Sequence, residues 1–155
     1  MRTVIKAATL CGALLAAACL SAGAQVDRSN HRNVNGMDVY LGVTSAAAVR
    51  ALPAYDKAEK TMHRGATTGP GSYHLNLTLL DAGSHAPIGD ARVEASVEEL
   101  GMATETKQLE PMAINGRVSY GNYFRMAASH AYWIDVMIER PGMPATRAKF
   151  RYQVY

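Results

Sequence analysis

The sequence predicts an all-β domain: an immunoglobulin-like antiparallel β-sandwich of about seven strands, with a short helix near its N-terminus. Two observations lead there. First, four stretches alternate in polarity with a period of two. Their apolar sets are Tyr73, Leu75, Leu77 and Leu79; Ala91, Val93, Ala95 and Val97; Tyr132, Ile134, Val136 and Ile138; and Ala148, Phe150, Tyr152 and Val154. Successive side chains on a strand point to opposite faces, so each run can bury one face and wet the other. Second, turn signals separate the runs at short spacing, as a sandwich of hairpins requires. A small barrel is the alternative architecture.

The elements follow in chain order. Residues 25–36 are polar and read as a flexible tail. Residues 37–43 alternate as a first strand of a single domain spanning 37–155. Thr44 or Ser45 caps a short helix over 46–52, and Pro53 stands where a helix stops. Residues 55–63 are charged and ambiguous, and 65–71 form a loop. Strand 72–81 runs into a turn over 82–87, and strand 90–99 follows. A short strand covers 104–109, with Pro111 as its stop. Asn115-Gly116 is a hairpin signal, because both residues tolerate positive φ. The strand over 116–126 carries Gly121 where the alternation slips, which reads as a bulge. Strand 131–139, a turn at Pro141-Gly142, and a paired strand over 146–155 close the chain.

The N-terminus reads as an export signal. Arg2 and Lys6 precede an apolar, Ala-rich run over 7–20, and Ala22-Gly23-Ala24 supplies a cleavage site with Gln25 as first mature residue. Such a run is too short for a permanent span. A lipoprotein attached at Cys19 is the other reading, and Leu15 lies one place too early for it. Removing residues 1–24 removes both cysteines, Cys11 and Cys19. The mature chain then has no disulfide and no thiolate ligand. Arg2 and Lys6 leave too, so the 16 basic against 13 acidic residues of the precursor become nearly balanced. A nucleic-acid footprint needs a clustered basic surface, which this balance does not suggest. The expected location is the periplasm, for a mature chain that does not span the membrane.

Catalytic motifs are absent from the sequence. It has no Gly-x-Ser-x-Gly elbow, no His-Glu-x-x-His and no phosphate-cradling loop. Adjacent Glu98 and Glu99 point to opposite faces of a strand and cannot act as a pair. Methionine and histidine are the residues with chemistry to offer. Thioether and imidazole suit Cu(I) where thiolate is missing. The expected metal ligands are Met62, His63, Met102, Met112 and His130. Met62 and His63 are adjacent, Met102 and Met112 would face each other if 104–109 folds back, and His130 follows Met126 around a turn. The plain alternative is that these methionines fill core gaps. His74 shares a face with Asn76 and Thr78 and reads as a solvated strand residue. Trp133 and Met137 share the wetter face of their strand and are the expected partner-binding patch.

Further residues carry a family likeness. Gly71-Ser72-Tyr73-His74 through Asp81-Ala82, Ile88-Gly89-Asp90-Ala91-Arg92-Val93, Gly101-Met102, Met112, the stretch from Gly116 to Met126, and Tyr132-Trp133-Ile134-Asp135-Val136 resemble the YtkA-like and FixH-like group of bacterial extracytoplasmic β-sandwich domains. The likeness covers 71–138. Residues 37–70 have no counterpart in it, and the paired methionines of the group's hairpin are spread here to Met102 and Met112. The resemblance implies a periplasmic accessory protein linked to copper handling or respiratory-complex assembly.

The expected function is therefore non-enzymatic: a periplasmic accessory protein that binds or handles copper through Met and His. The alternative is an interaction or assembly module for a membrane complex, docking through Trp133 and Met137 without metal.

Overall fold

The computed structural model describes residues 30–52, 69–114 and 116–155. Eight strands and one short helix follow in order: β1 (His31–Val34), β2 (Met37–Ser45), α1 (Ala46–Arg50), β3 (Ser72–Asp81), β4 (Arg92–Glu99), β5 (Thr104–Ile114), β6 (Arg117–Arg125), β7 (Ala131–Glu139) and β8 (Thr146–Gln153). All ladders are antiparallel, and the strand order is β1-β2-β3-β6-β5-β4-β7-β8. The all-β class is as the periodicity predicts, with Ser45 accepting the Ala48 N–H at 3.2 Å as the helix cap.

The two layers are halves of one sheet, and β5 is the fold between them. Its first part pairs with β4, from Glu98↔Thr104 to Val93↔Leu109. From Glu110↔Gly121 to Ile114↔Arg117 it pairs with β6. We call the layer β1-β2-β3-β6 sheet A and the layer β4-β7-β8 sheet B. Pro111, expected to end this strand, lies inside it. It falls beyond the last β4 pair, an edge position where a missing N–H is tolerated.

The core is the set that the alternation selects. Leu75, Leu77 and Leu79 of β3 face Val93, Ala95 and Val97 of β4, Ile134, Val136 and Ile138 of β7, and Ala148 and Phe150 of β8, all buried in one cluster. Tyr120 and Phe124 of β6 complete it. The Tyr120 hydroxyl donates to the Ile88 carbonyl at 3.1 Å, so its polar end is satisfied inside.

Two further expectations about elements are corrected. The polar stretch before residue 37 contains β1, which pairs His31↔Tyr40 through Val34↔Met37. Its hairpin turns on Asn35-Gly36, with φ of 47° and 74°, the doubly left-handed turn that an Asn-Gly pair favours. Gly121 is not a bulge: the β3–β6 register runs unbroken from Ser72↔Arg125 to Leu77↔Tyr120. The export signal, its cleavage site and the ambiguous stretch 55–63 lie outside the described residues. Among the described residues no helix is long and apolar enough to cross a membrane.

Candidate metal centre

The outer face of sheet A carries a buried patch where strand alternation places polar residues. The registers Asn76↔Gly121 and Glu110↔Gly121 put Gly121 at the centre of three strands. His74 of β3 sits diagonally on one side and Met112 of β5 on the other. Diagonal neighbours on a sheet face are within reach of long side chains. Gly121 has no side chain, and both neighbours lean into that gap. The point where a Cβ would stand is 2.6 Å from His74 Nε2 and 2.9 Å from Met112 Sδ. Tyr123, next on the same face, sets its ring 4.9 Å from the His74 ring at 54°. His74 is 2% exposed and Met112 1%, so imidazole and thioether converge out of bulk water.

Surrounding groups fix this arrangement. From the opposite face of β5, the Lys107 ammonium donates to the Tyr123 carbonyl at 2.6 Å and pins β6 there. Ser119, opposite Met112, is also buried. Beside the patch, a cleft of about 370 Å³ between β2, α1 and β3 is lined by Tyr40, Thr44, Val49, Asn76, Thr78 and His74. The donor set and its cradle fit a soft ion. One imidazole nitrogen and one thioether sulfur are ligand types that Cu(I) accepts, and they offer little to Mg²⁺ or Ca²⁺.

The fold matches solved structures at low identity. A DUF4426 family protein from Pseudomonas aeruginosa PAO1 gives a TM-score of 0.67 at 14% identity, over 83% of this chain and 95% of that one. A copper-bound variant of FetP from uropathogenic Escherichia coli strain F11 gives 0.62 at 12%, over 83% and 96%. Copper-reconstituted P19 from Campylobacter jejuni gives 0.58 at 10%, over 83% and 95%. FetP of the same strain has also been expressed in the periplasm of E. coli BL21(DE3). At these identities the likeness is one of fold. These neighbours are DUF4426, FetP and P19 proteins, and the YtkA-like and FixH-like resemblance is not confirmed. No family's sequence profile and no curated protein matches the chain.

Of the expected ligands, Met102, Met112 and His130 are among the described residues and stand apart. Met62 and His63 lie outside the described residues. Met102 is 65% exposed in the β4–β5 turn. It does not meet Met112, because the residues between them form one continuous strand and hold the two at opposite ends of β5. His130 stands in the β6–β7 loop, its Nδ1 2.5 Å from Glu99 Oε1. The Tyr132 hydroxyl donates to the other oxygen of Glu99 at 3.2 Å. Burial pushes the Tyr132 phenol up. Of the three expected ligands among the described residues, Met112 alone reaches the patch around Gly121.

His74 is not the solvated residue its neighbours in sequence suggest. All three line the cleft, but His74 is buried whereas Asn76 and Thr78 are only half-buried. One sequence signal was available. A glycine inside a strand can mark a place where other groups approach closely as well as a bulge. Trp133 and Met137 do share the outer face of sheet B, both half-buried. The Lys149 ammonium lies 4.9 Å above the Trp133 ring and the Arg151 guanidinium 6.0 Å away. Trp133 is thus partly roofed by cations of its own sheet.

Proposed function

We propose that this chain is an exported, non-enzymatic copper-handling protein that holds Cu(I) between His74 Nε2 and Met112 Sδ, over Gly121. The observation that carries the reading is the convergence of those two atoms on the space a Cβ would fill. Copper in FetP and P19, which share the fold, supports the choice of metal. The expected export signal, whose removal would take both cysteines with it, supports a compartment where thioether replaces thiolate. The cleft above His74 gives the ion a route in, and Tyr123 walls the far side.

Anaerobic Cu(I) titration of untagged protein against a competing chelator tests this. His74→Ala and Met112→Leu should each weaken binding at least about tenfold, or about 1.4 kcal/mol, with the far-UV spectrum unchanged. Wild-type affinity in both variants would remove the site. A loss seen instead in the Met62→Leu, His63→Ala double variant would move it to that pair.

A further inference from the structure

The outer face of sheet B sorts its charges by strand. The registers of β4, β7 and β8 line the outward side chains into rows: Glu98–Trp133–Arg151, Ser96–Asp135–Lys149 and Glu94–Met137–Arg147. Two of these rows run acid, apolar, base. Strand alternation asks only that an outer face be polar. It does not ask that the sign of charge change from one strand to the next but one. Opposite charges that stabilise a single sheet sit on adjacent strands, where cross-strand neighbours touch. Glu98 and Arg151 instead stand two strand spacings apart, roughly 9–10 Å, with Trp133 between them. Among the described residues, neither Glu94 nor Glu98 forms an ion pair within the chain. The middle strand carries the apolar members, Trp133 and Met137, both half-buried.

We propose that two copies of this chain pack through the outer faces of sheet B, related by a two-fold axis that runs along β7. A half-turn about that line keeps each row at its level and exchanges its two ends. β4 of one copy then lies over β8 of the other, as an isologous contact requires. Glu98 faces Arg151 of the second copy, Glu94 faces Arg147 of the second copy, and symmetry repeats both pairs. Packed sheets stand about 10 Å apart, a gap that a glutamate and an arginine reaching toward each other can span. Along the axis Trp133 meets Trp133 and Met137 meets Met137, an aromatic and thioether centre inside a charged rim. Asp135 meets its own copy there too, and Arg147 Nη1, 3.5 Å from Asp135 Oδ2, offsets that repulsion. A two-fold axis across the strands would set β4 on β4 and β8 on β8, like charge on like, so the pattern selects one axis. A second copy also fits better than an anionic lipid surface. The basic stripe of Arg147, Lys149 and Arg151 suits lipid headgroups, but Glu94, Glu98 and Glu139 share its face and oppose them. The copper reading concerns sheet A, so the two proposals stand or fall separately.

Sedimentation velocity of the purified protein should show a monomer–dimer equilibrium that weakens when salt is raised to about 0.5 M. Trp133 is the single tryptophan of the chain, so its emission should shift to the blue in step with dimer formation. Glu98→Arg and Arg151→Glu should each raise the dimer Kd at least about tenfold, because each sets like charges face to face. Mixed one to one, the two variants should associate again, since each then meets the opposite charge at both ends of the row. Glu94→Arg with Arg147→Glu repeats the exchange on a second row. The proposal is overturned if the chain stays monomeric at every concentration, if the dimer survives both charge reversals, or if neither pair of variants associates on mixing.

Discussion

An alanine at residue 121 would place its methyl 2.6 Å from His74 Nε2 and 2.9 Å from Met112 Sδ. At under 3.0 Å something must shift, so one or both side-chain ends must leave the common point. Gly121→Ala should therefore cost about 1–3 kcal/mol of stability by overpacking and lower Cu(I) affinity at least about tenfold. Thermal melts and the chelator titration read the two effects separately. A variant that melts early yet binds Cu(I) like wild type would mean that the gap over Gly121 is a packing detail. This residue also shows where sequence reading ran out. Polarity and period placed His74 correctly on the outer face of β3, but burial on that face is supplied by Met112 and Tyr123 from other strands. Which residues meet across a sheet depends on strand order and register, and neither is encoded in the neighbours of His74. The same holds for Asp38, whose burial comes from β1 and from the turn bearing His85.

At the scale of elements, strands β3, β4, β7 and β8 were legible because each has a buried inner face and therefore a strict period of two. β1 and the second half of β5 were not. β1 is short and polar, and its Asn35-Gly36 turn was the signal passed over, although the same dipeptide at 115–116 was read as a hairpin. β5 changes sheets, so its inner face is not uniformly apolar. Val97↔Glu105 and Ala95↔Lys107 are register pairs, which sets Glu105 and Lys107 on the core side where the layers part. Lys107 bonds Glu105 at 2.7 Å and lies 5.2 Å from the Phe124 ring centre. Burial pushes the Glu105 carboxyl up, but the Lys107 ammonium and the Arg125 N–H outweigh it and leave the group lowered. A carboxyl whose folded value is lowered stabilises the fold above its unfolded value, near pH 4.3, and loses that contribution as pH falls through the folded value. Glu105→Gln should thus lower the urea midpoint at neutral pH and flatten the decline below about pH 4.5. An acid limb identical to wild type would show that the pair is screened by solvent and contributes nothing to the crossing.

The whole molecule is a sheet curled until its first and last strands meet. The order leaves β1 and β8 as its two ends, and their contact shuts the side opposite β5. Side chains hold this seam. Arg32, on the core-facing side of β1, donates from Nε to the Lys149 carbonyl at 2.9 Å and lays its guanidinium 4.9 Å over the Phe150 ring. Asn35 donates to the Thr146 hydroxyl at 2.9 Å. Phe150 is completely buried, so Arg32 does the work of a lid over an edge that an open sandwich would leave wet. A charged hydrogen bond and a cation–π contact together predict a loss of about 1–2 kcal/mol in Arg32→Ala. Because one seam is affected, the loss should be uneven. Hydrogen exchange should quicken in β1 and β8, while β3, β6 and β7 keep wild-type protection. Uniform acceleration in every strand would instead mean that closure is part of the cooperative unit, and unchanged exchange would mean that the Asn35–Thr146 bond alone keeps the seam shut. His74 and Met112 lie on β3 and β5, away from the seam, so opening it should leave Cu(I) binding unchanged.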